Sequence, residues 1–300
     1  VVPIRGLIDL EWLEFLRHEV ESAIQNHGPC AEDLAAKGGI LPQTGFAGGY
    51  FTDLEMADRL PGFRRFACEG PSAAVAARVC SSETARFFYD QLFCKDPADA
   101  RAAAAFTPWH QDMAYWPVQG EQVASVFIAL DDVPESECLQ FLIGSHHWPE
   151  HQPVNFADGS PYQSSDPLPA LDEGKVASSR KVAWGLRAGD ALVFHGRIVH
   201  GGPGSWGRAL TLRFCGDNVR WAKRPEGRWA VPTRPTEDTI SAADGAELSE
   251  IGVDAGLFPL VWVDPLFAAR GSSPVTVQER SKGYAIAEEK LDVFPGSSST

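Results

Sequence analysis

The hydrophobic positions change period at about Arg86. Before it they recur every three or four residues: Leu13, Leu16, Val20 and Ile24 form one stripe, with Glu11, Glu14, Glu19 and Glu21 outside it. Asp9 is placed to cap this helix, and Gly28-Pro29 ends it. Asp53 to Leu60 reads as a short helix stopped by Pro61, and Pro71 to Cys80 as an alanine-rich helix with Pro71 in its first turn. Val1 to Ile4 reads as an edge strand and residues 37–50, rich in glycine, as loop. Beyond Arg86 the period becomes two. Phe87, Tyr89, Gln91, Phe93 and Lys95 are assigned to one face of a strand, and Phe88, Asp90, Leu92 and Cys94 to the other. Further strand-like runs follow at Phe106–His110, Val123–Leu130, Leu139–Ile143, Lys175–Trp184, Ala191–His195 and Arg208–Cys215, with turn signals such as Ala188-Gly189-Asp190 between them.

Many short strands behind a helical lead-in predict a mainly β protein, a sandwich or jelly roll buttressed by helices. The expected organisation is one domain over residues 1–290, with a helical lead-in 1–85, a β core 86–216, a C-terminal extension 217–290 and a tail 291–300. Residues 153–174, rich in Pro, Ser and Asp, read as a surface excursion or lid.

Composition narrows the function classes. Hydrophobic residues make up 44% of the 300 and charged residues 22%, enough apolar surface for a substantial core. A net charge of −14 argues against nucleic acid or another polyanion as partner. No apolar run approaches the ~20 residues of a membrane span. The six cysteines contain no Cys-x-x-Cys pair and read as reduced thiols, which leans the location towards cytoplasm. The expected partner is a small-molecule substrate.

The candidate chemistry lies in Thr107-Pro108-Trp109-His110-Gln111-Asp112, followed by Tyr115-Trp116. His110 and Asp112 sit two apart, so on a strand both side chains leave one face. Far downstream, Val199-His200-Gly201-Gly202 offers a second histidine in a glycine-rich frame. Two histidines and one carboxylate occupy one face of Fe(II) and leave the opposite positions open. Zinc accepts the same donors, so a zinc hydrolase or isomerase is the rival enzyme, and an inactive jelly-roll binding module the rival outside catalysis. The chain has no nucleophile elbow, P-loop or dinucleotide fingerprint. His146, His147 and His195 have no assigned role, and Arg220, Lys223, Arg224 and Arg228 read as a solvated loop.

These segments resemble the phytanoyl-CoA dioxygenase family, which includes ectoine hydroxylase. Cys138-Leu139-Gln140 with Gly144-Ser145-His146, then Gly189 to His195 leading to His200-Gly201-Gly202, then Arg208 to Phe214, match in the same order. The resemblance implies a double-stranded β-helix (jelly roll, cupin-like) and hydroxylation of a small organic substrate with Fe(II), 2-oxoglutarate and O2. It makes His110, Asp112 and His200 the metal ligands. A guanidinium suits the far carboxylate of 2-oxoglutarate because its fork holds both oxygens. Arg208 is the expected anchor and Arg213 its rival; an odd number of residues apart, the two should face opposite ways. Lys95 is expected to meet a carboxylate, and Gln91, Tyr115 and Trp116 to line the substrate pocket. Where the family often has a serine assisting the carboxylate, this chain has Gly202. Relatives that install chlorine carry a small residue in place of the carboxylate; Asp112 is present here.

Overall fold

The structure, a computed structural model, describes residues 1–34, 49–96, 98–155, 160, 166–169, 178–203, 207–223, 242–251 and 258–268. Its elements in chain order are β1 (Val2–Ile4), α1 (Leu10–Gln25), β2 (Glu32–Asp33), β3 (Tyr50–Leu54), α2 (Met56–Arg59), α3 (Pro61–Glu69), α4 (Ser72–Val79), β4 (Thr84–Lys95) and α5 (Ala100–Ala104). Then follow β5 (Thr107–His110), β6 (Val118–Gln119), β7 (Val123–Ala129), β8 (Gln140–Leu142), β9 (Lys181–Val182), β10 (Ala191–His195) and β11 (His200–Gly202). The last are β12 (Gly207–Cys215), β13 (Arg220–Trp221), β14 (Leu260–Val263) and α6 (Pro265–Ala268).

Two antiparallel sheets face one another. The major sheet runs β1-β10-β7-β12-β4-β3-β2, with β14 also paired to β4; the minor sheet runs β5-β11-β8-β9. Strands distant in sequence are neighbours in both, as a double-stranded β-helix requires. The outer face of the major sheet carries Leu92, Cys94, Val126, Ile128, Val193, Leu210, Leu212 and Phe214 against the helices. Helix α1 supplies Trp12, Leu13, Leu16, Val20 and Ala23 to that layer, and its first turn is closed by Asp9 accepting the Trp12 N–H at 2.8 Å. The inner face joins Phe127, Leu192, Phe194 and Ala209 to Phe141 of the minor sheet. A third cluster, with Phe88, Tyr89, Met113, Trp116, Trp221 and Phe258, closes one end of the space between the sheets.

Three expectations are corrected. The alternation along β4 is interrupted: Arg213 pairs with Tyr89 but Phe214 pairs with Phe87, so Phe88 is an extra residue on that strand. Phe87 therefore packs with Phe214 on the helix side, and only Tyr89, Gln91, Phe93 and Lys95 share the inner face. Asp53 is not helical. It lies in β3, where its buried carboxylate accepts from Gly28 N and Arg59 Nη2, and the chain turns at Glu55 (φ 59°) before α2 begins. Within the C-terminal extension, β14 pairs with the start of β4. The strand expected over Lys175–Trp184 is limited to β9 among the described residues. Most of the loop over 37–50, much of the excursion over 153–174, Arg224 and Arg228 of the basic cluster, and the tail lie outside them.

Leu16 of α1 is fully buried in the core cluster that the helices share with the major sheet. Leu16→Ala should lower unfolding free energy by about 2–5 kcal/mol, read by urea titration, because a packed site collapses only partly around the lost side chain.

Candidate metal centre

His110 ends β5 and His200 begins β11, and the two are direct partners in the minor sheet. Their rings stand 4.3 Å apart, centroid to centroid. Asp112 does not continue the strand. The chain leaves β5 after His110 and tightens into a 3-10 turn over Asp112–Tyr115, which brings the carboxylate back beside the imidazoles. Asp112 Oδ1 lies 3.4 Å from His110 Nε2 and 3.7 Å from His200 Nε2. One donor atom from each of the three residues lies within 4.8 Å of the others, and all three residues are buried. Among the described residues no other group of three such side chains converges in this way.

Each imidazole is turned by its other nitrogen. His110 Nδ1 is 2.7 Å from Pro108 O and His200 Nδ1 is 3.0 Å from Ile198 O. A carbonyl accepts only an N–H, so each Nδ1 carries a proton and each Nε2 is left facing the shared point. Burial and the neighbouring His110 pull His200 down to about 4, so it is a neutral ligand at pH 7. Burial opposes ionisation of Asp112, but His200, Arg213 and His110 together hold its carboxyl below the usual range. The result is two imidazole nitrogens and one anionic oxygen aimed at one point, a donor set that suits a divalent transition metal.

The second oxygen of Asp112 faces the major sheet. Ser125 of β7 donates to Oδ2 at 2.8 Å, and Arg213 Nε of β12 is 3.9 Å from the same atom. Arg213 lies over the Tyr89 ring at 4.4 Å and donates through Nη2 to Gln91 Oε1 at 2.8 Å. Among the described residues its Nε and Nη1 have no hydrogen-bond partner, nor does the buried Thr211 Oγ1 beside it on β12.

Arg208 is a correction. β12 turns it away from the triad, towards α1, where Nε and Nη2 hold both oxygens of Asp131 at 2.9 and 2.8 Å and Nη1 reaches Glu21 at 3.0 Å. Ala209, Thr211 and Arg213 are the residues of that strand on the inner face, opposite Phe93, Gln91 and Tyr89 of β4. Lys95 is on the inner face and 2% exposed; its ammonium donates to Ala105 O at 3.0 Å and Pro203 O at 2.6 Å and stands 5.5 Å from the Tyr50 ring centre. The buried Tyr50 hydroxyl meets the Thr107 side chain, and burial pushes its pKa up to about 12. Thr107 pairs with Gly202, so this cluster flanks the residue that lacks the expected serine.

The three residues expected to meet substrate have partners within the protein. Gln91 bridges Arg213 and Thr52 Oγ1, Trp116 Nε1 donates to Tyr89 Oη at 2.8 Å, and Tyr115 Oη both donates to Val154 O and accepts from Val154 N. Gln111, inside the metal motif and given no role from sequence, donates to Pro149 O and Arg197 O and accepts from His151 N. Tyr115 and Gln111 thus fasten residues 149–154 over the motif. His195 makes its contacts outside the triad, with Glu121 O and the Arg197 N–H. Ser125 was also given no role from sequence, yet a single hydroxyl within the apolar run Val123–Ala129 was a visible signal.

The model of the phytanoyl-CoA dioxygenase family matches residues 1–206. A comparison with curated protein sequences returns no match. Solved structures similar to this chain include the non-haem alpha-ketoglutarate-dependent epimerase SnoN from nogalamycin biosynthesis, at 20% identity, TM-score 0.61, over 87% of this chain and 92% of that one. The carbocyclase SnoK of the same biosynthesis aligns at 18% identity, TM-score 0.60, over 87% and 91%. EctD from S. alaskensis, solved with 2-oxoglutarate and 5-hydroxyectoine, aligns at 18% identity, TM-score 0.55, over 82% of each chain. At these identities the likeness is one of fold.

The titration of His200 gives a pH prediction. Folding draws it from an ordinary 6.5 to about 4, so between those values the unfolded chain binds more protons than the folded one. Stability of the metal-free protein should fall as pH drops through that window, by roughly 3 kcal/mol from His200 alone. His195, also drawn down to about 4, acts in the same direction. Urea titrations at pH 7, 5.5 and 4 check this; a flat profile would contradict a buried, neutral His200.

Proposed function

The chain belongs to the phytanoyl-CoA dioxygenase family of 2-oxoglutarate-dependent non-haem iron oxygenases, and from that premise we propose that it hydroxylates a small organic substrate at His110, Asp112 and His200. Iron(II), 2-oxoglutarate and O2 are the cofactor and cosubstrates of this family. The observation that carries the reading is the convergence of His110 Nε2, His200 Nε2 and Asp112 Oδ1, with each Nδ1 tied to a backbone carbonyl. When bound, iron would let O2 act as the oxidant of an unactivated C–H bond, with 2-oxoglutarate oxidised alongside to succinate and CO2. The protein groups bind, orient and exclude water.

The far carboxylate of 2-oxoglutarate is assigned to Lys95 with the Tyr50 and Thr107 hydroxyls. Arg208 is spent on Asp131 and Glu21, and Arg213 is drawn to Asp112 and Gln91. Lys95 is a buried inner-face cation, and burial favours its neutral form, so an incoming carboxylate would restore a charge partner. Tyr115 and Trp116, whose polar atoms are already satisfied, would serve the substrate pocket as walls, and Gln91 as the brace of Arg213. The Asp112 carboxylate would take the position that a halide needs, which favours hydroxylation over halogenation. The neighbours include an epimerase and a carbocyclase, and these outcomes are alternatives that product analysis separates.

Two tests follow. His110→Ala and His200→Ala should each abolish succinate formation and tight Fe(II) binding, and wild-type product formed under labelled O2 in excess chloride should carry oxygen-18 and no chlorine. Full turnover in either variant, or a halogenated product, would contradict the reading. Lys95→Met should raise the 2-oxoglutarate requirement about tenfold or more, since a charge-assisted hydrogen bond is worth ~1.5–3 kcal/mol, while Arg208→Met should leave it unchanged. The reverse pattern would return the anchor to Arg208.

A further inference from the structure

We propose that Ser125 and Arg213 are positioning residues that hold Asp112 to one metal-facing oxygen and so keep a coordination site open for 2-oxoglutarate. The inference rests on the iron-site reading above and concerns how that site is kept open. A carboxylate binds a metal through one oxygen or both. With two imidazoles in place, a second oxygen from Asp112 would take a fourth position and leave fewer for the chelating keto acid and O2.

The surroundings of Asp112 divide its two oxygens. Oδ1 faces both Nε2 atoms, at 3.4 and 3.7 Å. Oδ2 receives the Ser125 hydroxyl at 2.8 Å and has Arg213 Nε at 3.9 Å on the same side. An O–H donating to an ionised oxygen is among the stronger hydrogen bonds, and the guanidinium adds attraction in a dry setting. For Oδ2 to swing towards the metal it would have to leave both, stranding a buried hydroxyl and a buried cation. Ser125 is fully buried, so no water can replace Asp112 as its acceptor without opening the core.

The restraint is built by the major sheet. Ser125 and Arg213 are direct partners across β7 and β12, so their side chains leave the inner face side by side. Arg213 is itself braced by Gln91 Oε1 at 2.8 Å and by the Tyr89 and Trp116 rings at 4.4 and 5.8 Å. Among the described residues its Nε and Nη1 have no hydrogen-bond partner, and the carboxylate beside Nε is that of Asp112, at 3.9 Å. A polar pair at the centre of an apolar strand pair costs stability, and the Asp112 contact is its compensation.

The test measures metal and 2-oxoglutarate binding separately, anaerobically and without turnover. Fe(II) affinity is measured by competition with a chelator, and 2-oxoglutarate affinity by the metal-to-ligand charge-transfer band that appears when a 2-oxo acid chelates Fe(II). Ser125→Ala should keep Fe(II) affinity at or above wild type, because the freed oxygen adds a ligand. The same variant should bind 2-oxoglutarate about tenfold more weakly, the scale of one lost charge-assisted hydrogen bond. 2-Oxopentanoate, which lacks the far carboxylate, should weaken by the same factor, whereas Lys95→Met should weaken only 2-oxoglutarate. Ser125→Thr, which keeps the hydroxyl, should restore wild-type values. Arg213→Lys, which keeps a cation, should fall between. Parallel losses of Fe(II) and 2-oxoglutarate affinity in Ser125→Ala, no loss of either, or no rescue by Ser125→Thr would overturn the proposal. Absence of the band in the wild-type protein would instead refute the iron-site reading on which it stands.

Discussion

The two oxygens of Asp112 join the halves of the structure. One oxygen faces the histidines of the minor sheet, and the other is held by Ser125 and Arg213 of the major sheet. A fully ionised carboxylate in the interior is costly to desolvate unless surrounded by donors and positive charge. Here the compensation comes from both sheets at once. If the sheets shifted relative to one another, the carboxylate would lose partners on one side, so the cost of moving it fixes their mutual position. The metal centre is therefore also a packing element.

The remaining architecture can be read as support for that contact. The helix layer covers the outer face of the major sheet with Leu16, Phe66 and their neighbours, which fixes β4, β7, β10 and β12 in register. The bulge at Phe88 restores the alternation that puts Tyr89 and Gln91 beneath Arg213. Gln111 and Tyr115 tie residues 149–154 to the metal motif on the other side. Stiffness here has a chemical use, since open coordination positions are useful only if protein oxygens do not drift into them.

Much of this was legible in the sequence. The helical stripe of α1, the strands from Arg86 to Cys215 and the residues His110, Asp112 and His200 could be read from period and motif, because each has a local signature. What escaped depended on contacts across strands. Arg208 and Arg213 differ by parity alone, and choosing between them requires knowing which face of β12 meets the helices. The bulge at Phe88 reverses the face assigned to Phe87, and no residue type in that run announces it. Asp112 reaches the histidines through a turn and not along a strand, an outcome that the two-residue spacing allowed but did not require. The Ser125 hydroxyl needed only the observation that one polar residue stands in an otherwise apolar strand.

The most direct test is an anaerobic crystal structure grown with Fe(II) and 2-oxoglutarate, with anomalous scattering recorded at the iron edge. The account predicts one iron ligated by His110 Nε2, His200 Nε2 and a single oxygen of Asp112, with 2-oxoglutarate chelating it and its far carboxylate at Lys95. Iron bound elsewhere, Asp112 bound through both oxygens, or 2-oxoglutarate paired to Arg208 would contradict it.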